Sequence, residues 1–351
     1  MEALSSCIDI PIPPKVHTVI ATDGSQISPS HHEIAYCYLI NIGRVVFHYG
    51  QGRYPLLDSL PEVFYRPEDL YVSRQWGIRV EEWMGYRRTV SEAIALAELV
   101  TSCVESQTSH PNPLSVNGEG GQEGEQEKVP TLAMVDGSLI YWFLEGLPGD
   151  ACDRILPPIL EAWEQIRLAE VPLIGYISAS RSTESLNLLR LQACPHPTPN
   201  CVVNCGDADE KKPPCQVFDN LRDPPFWLSI LKPGQRTPLW KSTMRILNLY
   251  GESQTIYFCY VHVGSEIARV EFPAWVAENS TLLDRALSLM LGQIQKGYGY
   301  PISLSEAHNH AVVRGDDRAR FFAFLEQQMI KAGLKNVGIS YKETRKRGSI
   351  A

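Results

Sequence analysis

Positive charge is in short supply in this chain of 351 residues: 32 Lys and Arg stand against 40 Asp and Glu, a formal net charge of −8. That balance excludes a protein that coats nucleic acid by bulk attraction, although a local basic face can coexist with an acidic total. Long apolar runs are missing as well. No stretch approaches the roughly 20 apolar residues of a membrane span, and Met1 to Pro14 have neither the basic start nor the apolar stretch of a secretory signal. A soluble, cytoplasmic protein with no membrane partner is expected. There is no P-loop and no Gly-rich adenosine pocket, which counts against nucleotide-driven phosphotransfer. Paired C-x2-C knuckles are likewise absent. The nine cysteines are an odd count, and Cys7, Cys37, Cys103, Cys152 and Cys259 lie scattered through apolar or helical patterns as small buried hydrophobes do, so no disulfide framework is expected. Cys194, Cys201, Cys205 and Cys215 crowd one Pro-rich segment; without knuckle spacing they read as free thiols on a surface loop, a metal site being the alternative.

What the chain does have is two copies of one tripeptide, Asp23-Gly24-Ser25 and Asp136-Gly137-Ser138, closing the short apolar runs Val19 to Thr22 and Leu132 to Val135. Apolar runs stopped by Gly read as buried strands, so each Asp is expected at the carboxyl end of a strand, and two carboxylates come to one edge of one sheet. Hard divalent cations such as Mg²⁺ and Mn²⁺ take oxygen ligands, and paired carboxylates at a sheet edge can hold them over a phosphate. Metal-assisted phosphodiester chemistry is the leading expectation. The plain alternative is turn chemistry, for which Asp and Gly are favoured locally.

Length and a hydrophobic content of 44% suit a substantial core, and we read residues 1–351 as one domain. Val16 to Asp23 reads as a first strand; Ile34 to Ile42 and Arg44 to Tyr49 read as a hairpin turned at Asn41-Ile42-Gly43, giving three consecutive strands. Glu81 to Val104 carries Ala93, Ile94, Ala97, Leu99 and Val100 at helical spacing and predicts a long helix across one sheet face. Residues 105–129 are poor in apolar side chains and dense in Gly, Glu, Gln, Ser and Asn, which cannot offset chain entropy by burial; a disordered insertion is expected. Strand four, Thr131 to Val135, is followed by a helix over about Asp153 to Ala169 and strand five, Leu173 to Ser178, a rhythm that implies parallel pairs in a mixed sheet. A Cys- and Pro-rich insertion spans 193–217. Strands return at Thr255 to Val263 and Glu266 to Phe272, turning on Val263-Gly264, before two helices, about Ser280 to Gln295 and Asp316 to Ala332. The basic tail, 342–351, holds Lys342, Arg345, Lys346 and Arg347 and is expected to be solvated.

Three strands, a crossing helix and a fourth strand bearing a second carboxylate make a ribonuclease H-like arrangement the expected fold: an α/β mixed sheet flanked by helices, with two loop insertions. The chain resembles the NurA nucleases, partners of the hexameric HerA ATPase in processing DNA ends. The resemblance runs in order through Ala21 to Ser25, the helix from Arg87 to Glu98, Val135 to Leu139, Ile177 to Ser180, Pro233 to Trp240 and Gly299 to His308. It implies a manganese-dependent nuclease, Mg²⁺ sharing the same oxygen ligands, with 5′-to-3′ exonuclease and single-strand endonuclease activity in DNA end processing and double-strand break repair. It also implies a homodimer around a DNA passage and a HerA-like ATPase partner.

By the same resemblance Asp23 and Asp136 match metal-binding aspartates, and a glutamate of the intervening helix completes the set: Glu92, which follows Arg87-Arg88, with Glu98 as the alternative. Six residues correspond to about 600° of helical rotation, so the two cannot share a face and one alone reaches a metal. Tyr300 and His308 match late aromatic and imidazole positions, and an imidazole can ligate metal or protonate a leaving oxygen. Asp219 is a weaker candidate ligand. Arg236 suits a phosphate clamp through its planar fork of donors, a structural ion pair being the alternative. His31, His32 and His310 are expected at the surface. The chain departs from the family in two ways. The first Asp-Gly-Ser arrives after only 22 residues, so the helical N-terminal extension of some members is short or absent. The position after Ile177-Ser178, a lysine in many relatives, reads Ala179-Ser180-Arg181, which leaves Arg181 as the basic phosphate contact. Two further readings remain open: an ATP-dependent phosphotransferase of the actin and sugar-kinase group, and a non-catalytic module that docks on a DNA motor.

Overall fold

The computed structural model describes residues 2–333 apart from Ser5, His32, 110–127 and 206–212. Its strands are β1 (Ile8–Asp9), β2 (His17–Ile27), β3 (Tyr38–Tyr49), β4 (Leu56–Phe64), β5 (Thr131–Asp136), β6 (Leu173–Ile177), β7 (Gln235–Arg236), β8 (Trp240–Lys241), β9 (Ile256–His262) and β10 (Ile267–Pro273). The helices are α1 (Pro67–Tyr71), α2 (Val80–Ser109), α3 (Gly149–Leu168), α4 (Glu184–Gln192), α5 (Cys201–Cys205), α6 (Asp223–Leu228), α7 (Ala274–Ala277), α8 (Ser280–Lys296), α9 (Ile302–Ala311) and α10 (Gly315–Lys331). One sheet runs in the order β1-β7-β9-β10-β6-β5-β2-β3-β4, with β8 on β9. The pairs β2/β5 and β5/β6 are parallel and the rest antiparallel. Three antiparallel strands, β4-β3-β2, followed by the parallel β5 and β6 are the ribonuclease H-like order.

Alternation along the central strands supplies two cores. Ile20, Ala133 and Leu173 face α2 and α3, where Leu96, Val100, Ile155, Ile159 and Trp163 pack. The residues between them, Val19, Ala21, Leu132, Met134 and Ile174, face the other way, onto Leu287, Met290, Leu304 and Ala307 of α8 and α9. Fully burying a side chain such as Ile20, Leu132 or Met134 contributes roughly 1.5–3 kcal/mol. Sheet strands covered on both sides read as apolar runs, which is why β5 and β6 are plain in the sequence.

The first half of the sheet departs from the sequence reading. β2 does not stop at Asp23 but continues through Gly24 and Ser25 to Ile27. The expected hairpin at Asn41-Ile42-Gly43 does not form, because β3 is one strand of 12 residues that pairs with β2 along its whole length. Gly43 is there for approach, not for turning: a Cβ would collide with Ala307 O and stand 2.5 Å from Ala311 N in α9. The third strand is β4, an edge strand with Pro61 and mostly exposed side chains, the place in a sheet where proline is tolerated. The helix α2 runs to Ser109, five residues into the stretch read as disordered insertion, while 110–127 lie outside the described residues. In the segment 193–217 the structure forms α5 and a 3₁₀ turn, Pro214–Phe218. The basic tail and His32 lie outside the described residues.

Candidate active site

The parallel pairing of β2 and β5 ends with Thr22 opposite Val135, so Asp23 and Asp136, the next residue of each strand, are neighbours at one end of the sheet. Thr22 faces α2, where its Oγ1 donates to Glu92 O at 3.1 Å. Asp23 points to the opposite side, toward α9. Asp136 has the parity of Leu132 and Met134 and shares that side, where the Tyr300 hydroxyl donates to its carboxylate. The two copies of Asp-Gly-Ser differ in backbone. Asp23 sits within extended chain, its Oδ1 accepting from Gly24 N at 2.8 Å. Asp136 ends β5, and Gly137, at φ +106°, makes the turn.

The serines of both copies hold neighbouring elements. Ser25 Oγ and Asn41 Nδ2, the latter at 2.8 Å, donate to Ala311 O, and Asn41 Nδ2 reaches His310 O at 3.2 Å. These bonds satisfy carbonyls that the end of α9 leaves open and fix its last turn. His308 stands in that turn with its ring 62% exposed and Nδ1 2.8 Å from Asp23 Oδ2. Half-buried His310 shares the turn, and His31 stacks on Tyr36 away from it.

Glu92 arrives from the other face. The α2 helix carries it over Gly24, where a Cβ would collide with Glu92 Oε1 and come within 2.7 Å of Arg88 Cγ. Burial pushes the Glu92 carboxyl up to about 7; Arg88 opposes this, Asp23 and Asp136 add to it, and the Gly24 N–H opposes it again. Arg88 Nε lies 3.2 Å from Glu92 Oε1 yet is buried without a hydrogen bond. Burial also raises the Asp136 carboxyl, with Tyr300 and His308 lowering it and Asp23 raising it. Glu98 is exposed and lies within electrostatic reach of Arg44 in β3, whereas Glu92 is the helical carboxylate within electrostatic reach of the aspartates.

Three other expected residues stand elsewhere. Arg236, in β7 four strands from β5, is 4% exposed and gives both ends of its fork to Glu2, at 2.6 and 2.9 Å, which is the ion-pair alternative. Asp219 pairs with Arg190 at 2.8 Å on the surface beside α4. Arg181 is exposed in the loop after β6, at the same end of the sheet as Asp136; Glu266 holds that loop by accepting from Ala179 N at 2.9 Å.

Sequence reasoning missed a charged layer behind Asp136. Glu271 Oε2 accepts from Ser138 Oγ and from Leu139 N, both at 2.8 Å, and its Oε1 accepts from Arg269 Nε at 2.8 Å. Arg269 Nη2 donates to Glu184 Oε2 at 2.9 Å, and Glu184 Oε1 accepts from Ser242 Oγ at 2.6 Å. All three charged residues are buried, and buried charges are held by such pairing. The signal was available: Arg269 and Glu271 are two apart in an apolar strand, so opposite charges share one covered face.

Oxygen donors with one imidazole are the chemistry of a hard divalent cation, and a cation would favour the charged forms of Glu92 and Asp136, which burial chiefly and neighbouring aspartates secondarily disfavour. The donor types fit such an ion. Among the described residues no three His, Cys, Asp or Glu side chains surround a common point; Asp23 is engaged by His308, Asp136 by Tyr300 and Glu92 by Arg88. No curated protein matches the chain significantly. The crystal structure of the NurA nuclease from Sulfolobus solfataricus matches at 12% sequence identity, covering 93% of this chain and 88% of that one, with a TM-score of 0.49. The model of the NurA domain matches residues 17–313, a span that contains Asp23, Glu92, Asp136, Tyr300 and His308, and the chain belongs to the NurA domain family.

Proposed function

We propose that this chain is a divalent-metal-dependent deoxyribonuclease, residues 1–351 acting as one nuclease domain. Membership of the NurA family supports a nuclease role. The observation that carries the reading is the parallel pairing of β2 and β5, which brings Asp23 and Asp136 side by side at one end of the sheet, with Glu92 of α2 over Gly24 and within electrostatic reach of both. Asp23, Asp136 and Glu92 would hold Mn²⁺, with Mg²⁺ suited to the same oxygens, and His308 is the fourth candidate ligand. When bound, such an ion stabilises charge on the phosphate and generates a water able to attack in line.

The protein's own part is positional. His308 keeps Nδ1 toward Asp23 and turns Nε2 of its exposed ring outward, where it can deliver a proton to the leaving oxygen. The Tyr300 hydroxyl orients the Asp136 carboxylate. Exposed Arg181 takes a phosphate of the DNA strand, and Arg236 has no part in this, its fork being filled by Glu2. The activity we propose is 5′-to-3′ exonuclease and single-strand endonuclease cleavage in DNA end processing and double-strand break repair. It is assigned to a cytoplasmic homodimer working with a HerA-like hexameric ATPase.

The test is cleavage of 5′-labelled single- and double-stranded DNA with Mn²⁺, Mg²⁺ or EDTA, alongside Asp23→Ala and Asp136→Ala. Metal-dependent cleavage that falls at least 100-fold in both variants, with thermal midpoints near wild type, is expected. Persisting Mn²⁺-dependent cleavage in Asp23→Ala would sink the assignment.

A further inference from the structure

The chain passes from α8 to α9 through Gly297-Tyr298-Gly299-Tyr300-Pro301, and Tyr300 is the residue whose hydroxyl donates to Asp136. Gly299 N donates to Ile294 O at 3.0 Å, the long bond that closes a Schellman stop at the end of α8. Such a stop puts one residue in the left-handed region, a place ordinarily given to Gly or Asn. Here that residue is Tyr298, at φ +56°, with a glycine on each side. Both glycines are required by the turn: a Cβ at Gly297 would collide with Tyr300 O, and Gly299 stands at φ +119°. A residue with a Cβ is strained in the left-handed region. Tyr298 is 100% exposed, so no packing of its ring offsets that strain.

The turn is tied to the nuclease edge from two sides. Tyr300 sets its ring edge-on to Tyr176, centroids 5.6 Å apart, and the Tyr176 hydroxyl donates to Glu266 Oε1 at 3.3 Å. Ser265 Oγ, between β9 and β10, donates to Gly299 O at 3.4 Å. Arg269 of β10 pairs with Ile177 at the end of β6, which places Ser265 and Glu266 at the same end of the sheet as Asp136. Exposed Arg181 follows β6 there. Tyr298 therefore projects from a pinned turn, two residues from the hydroxyl on Asp136, with its ring open to solvent. Strained residues that earn nothing in packing belong to ligand clamps more often than to scaffolds.

We propose that Tyr298 is a stacking residue for the nucleic-acid substrate, its ring taking the face of an unpaired nucleobase beside the phosphate held at Asp136. The proposal rests on the nuclease reading given above. Every base has a π-face, so stacking holds a strand without reading its sequence. In a duplex the neighbouring bases cover those faces, so the ring takes a base from a single strand or a frayed end. An aromatic already held outward by its backbone loses little freedom on binding.

The test reads affinity by fluorescence anisotropy of labelled oligonucleotides with the full-length chain in EDTA, where nothing is cut. One strand is an oligothymidylate; the other has the same length and backbone with tetrahydrofuran abasic residues throughout. Tyr298→Ala should weaken binding of the oligothymidylate by about 5- to 100-fold, the worth of one base on an aromatic ring, and binding of the abasic strand by less than about twofold. Tyr298→Trp should bind the oligothymidylate at least as tightly as the wild type. Tyr298→Gly should lose as much affinity as the alanine variant while its thermal midpoint stays at or above wild type, since glycine is unstrained there. Equal losses on the two strands, an unchanged affinity for the oligothymidylate, no binding of either strand by the wild type at micromolar protein, or a lowered midpoint in Tyr298→Gly overturns the proposal. A wild type that binds as expected but cuts nothing with Mn²⁺ removes the nuclease reading and leaves the stacking residue standing. Cleavage without a base-dependent loss in Tyr298→Ala removes the stacking residue alone.

Discussion

At Glu92 the side chain's surroundings fix a sign for pH dependence. Its carboxyl, ordinarily near 4.5, is pushed up to about 7 in the folded chain by burial and by the two aspartates. Below pH 4.5 both the folded and unfolded chains hold this proton, and the contribution to stability is complete. Between 4.5 and 7 the unfolded chain releases the proton first, so stability falls as pH rises, by at most about 3 kcal/mol at 1.36 kcal/mol per pH unit. In Glu92→Gln the loss across that window should disappear, measured as urea unfolding free energy from pH 4 to 8 in EDTA. A variant that keeps the wild-type slope shows that another group is responsible. Adding Mn²⁺ to the wild type should move the window downward, since positive charge favours the carboxylate. The positions of Asp23 and Asp136 followed from alternation in two apolar runs. Glu92 is preferred to Glu98 through the family resemblance, by its place after Arg87-Arg88; the close approach of α2 to Gly24, which sets Glu92 there, is encoded in no local pattern.

Helices α2 and α9 reach the site by passing close over glycines on opposite faces of the first hairpin. Gly24 leaves room for Glu92 and Arg88, and Gly43 leaves room for the backbone of α9 at Ala307 and Ala311. Backbone cannot rotate away as a side chain end can, so Gly43→Ala is expected to cost about 1–3 kcal/mol by overpacking. It should also move His308 from Asp23 and lower metal-dependent cleavage more than tenfold. Gly85→Ala is the matched control, because a Cβ there meets nothing within 4 Å in the interior of α2. It should raise stability by about 0.5–1 kcal/mol and leave cleavage unchanged. Equal thermal midpoints for the two variants would discount the close approach of α9. The same glycines explain what the sequence reading got wrong. Local propensity reads Asn-Ile-Gly as a turn, whereas Gly43 answers to a helix more than 250 residues later in the chain. Helix α9 was hidden because its ten residues, with three serine or asparagine and two histidine side chains among them, carry too few large apolar side chains to show a helical period. The edge strand β4 was hidden because Asp58, Ser59, Pro61 and Glu62 break its alternation. What read correctly, β5, α3 and β6 with the hairpin of β9 and β10, is built from local periodicity alone.

Across the whole molecule the N-terminal segment closes the sheet at the end opposite to β4. β1 pairs with β7, Ile10 packs against the α8 core, Pro13 lies against Gly292 of α8, and Glu2 supplies the carboxylate for buried Arg236. An unpaired strand edge invites association with other chains, and a buried guanidinium without its carboxylate is costly. Because Glu2 is one-third exposed, solvent screening reduces what the ion pair itself contributes, so β1 and the apolar contacts share the effect. Removing residues 2–14 is therefore expected to lower the thermal midpoint by several degrees and to produce concentration-dependent association, read by calorimetry and by light scattering after size-exclusion chromatography. The edge carrying Asp23 and Asp136 lies beyond β9, β10 and β6 from this strap, so cleavage assayed well below the midpoint should stay within about twofold of wild type. Lost cleavage with an unchanged midpoint would mean that the segment serves the nuclease site itself, and an unchanged midpoint without association would remove its role in closing the sheet.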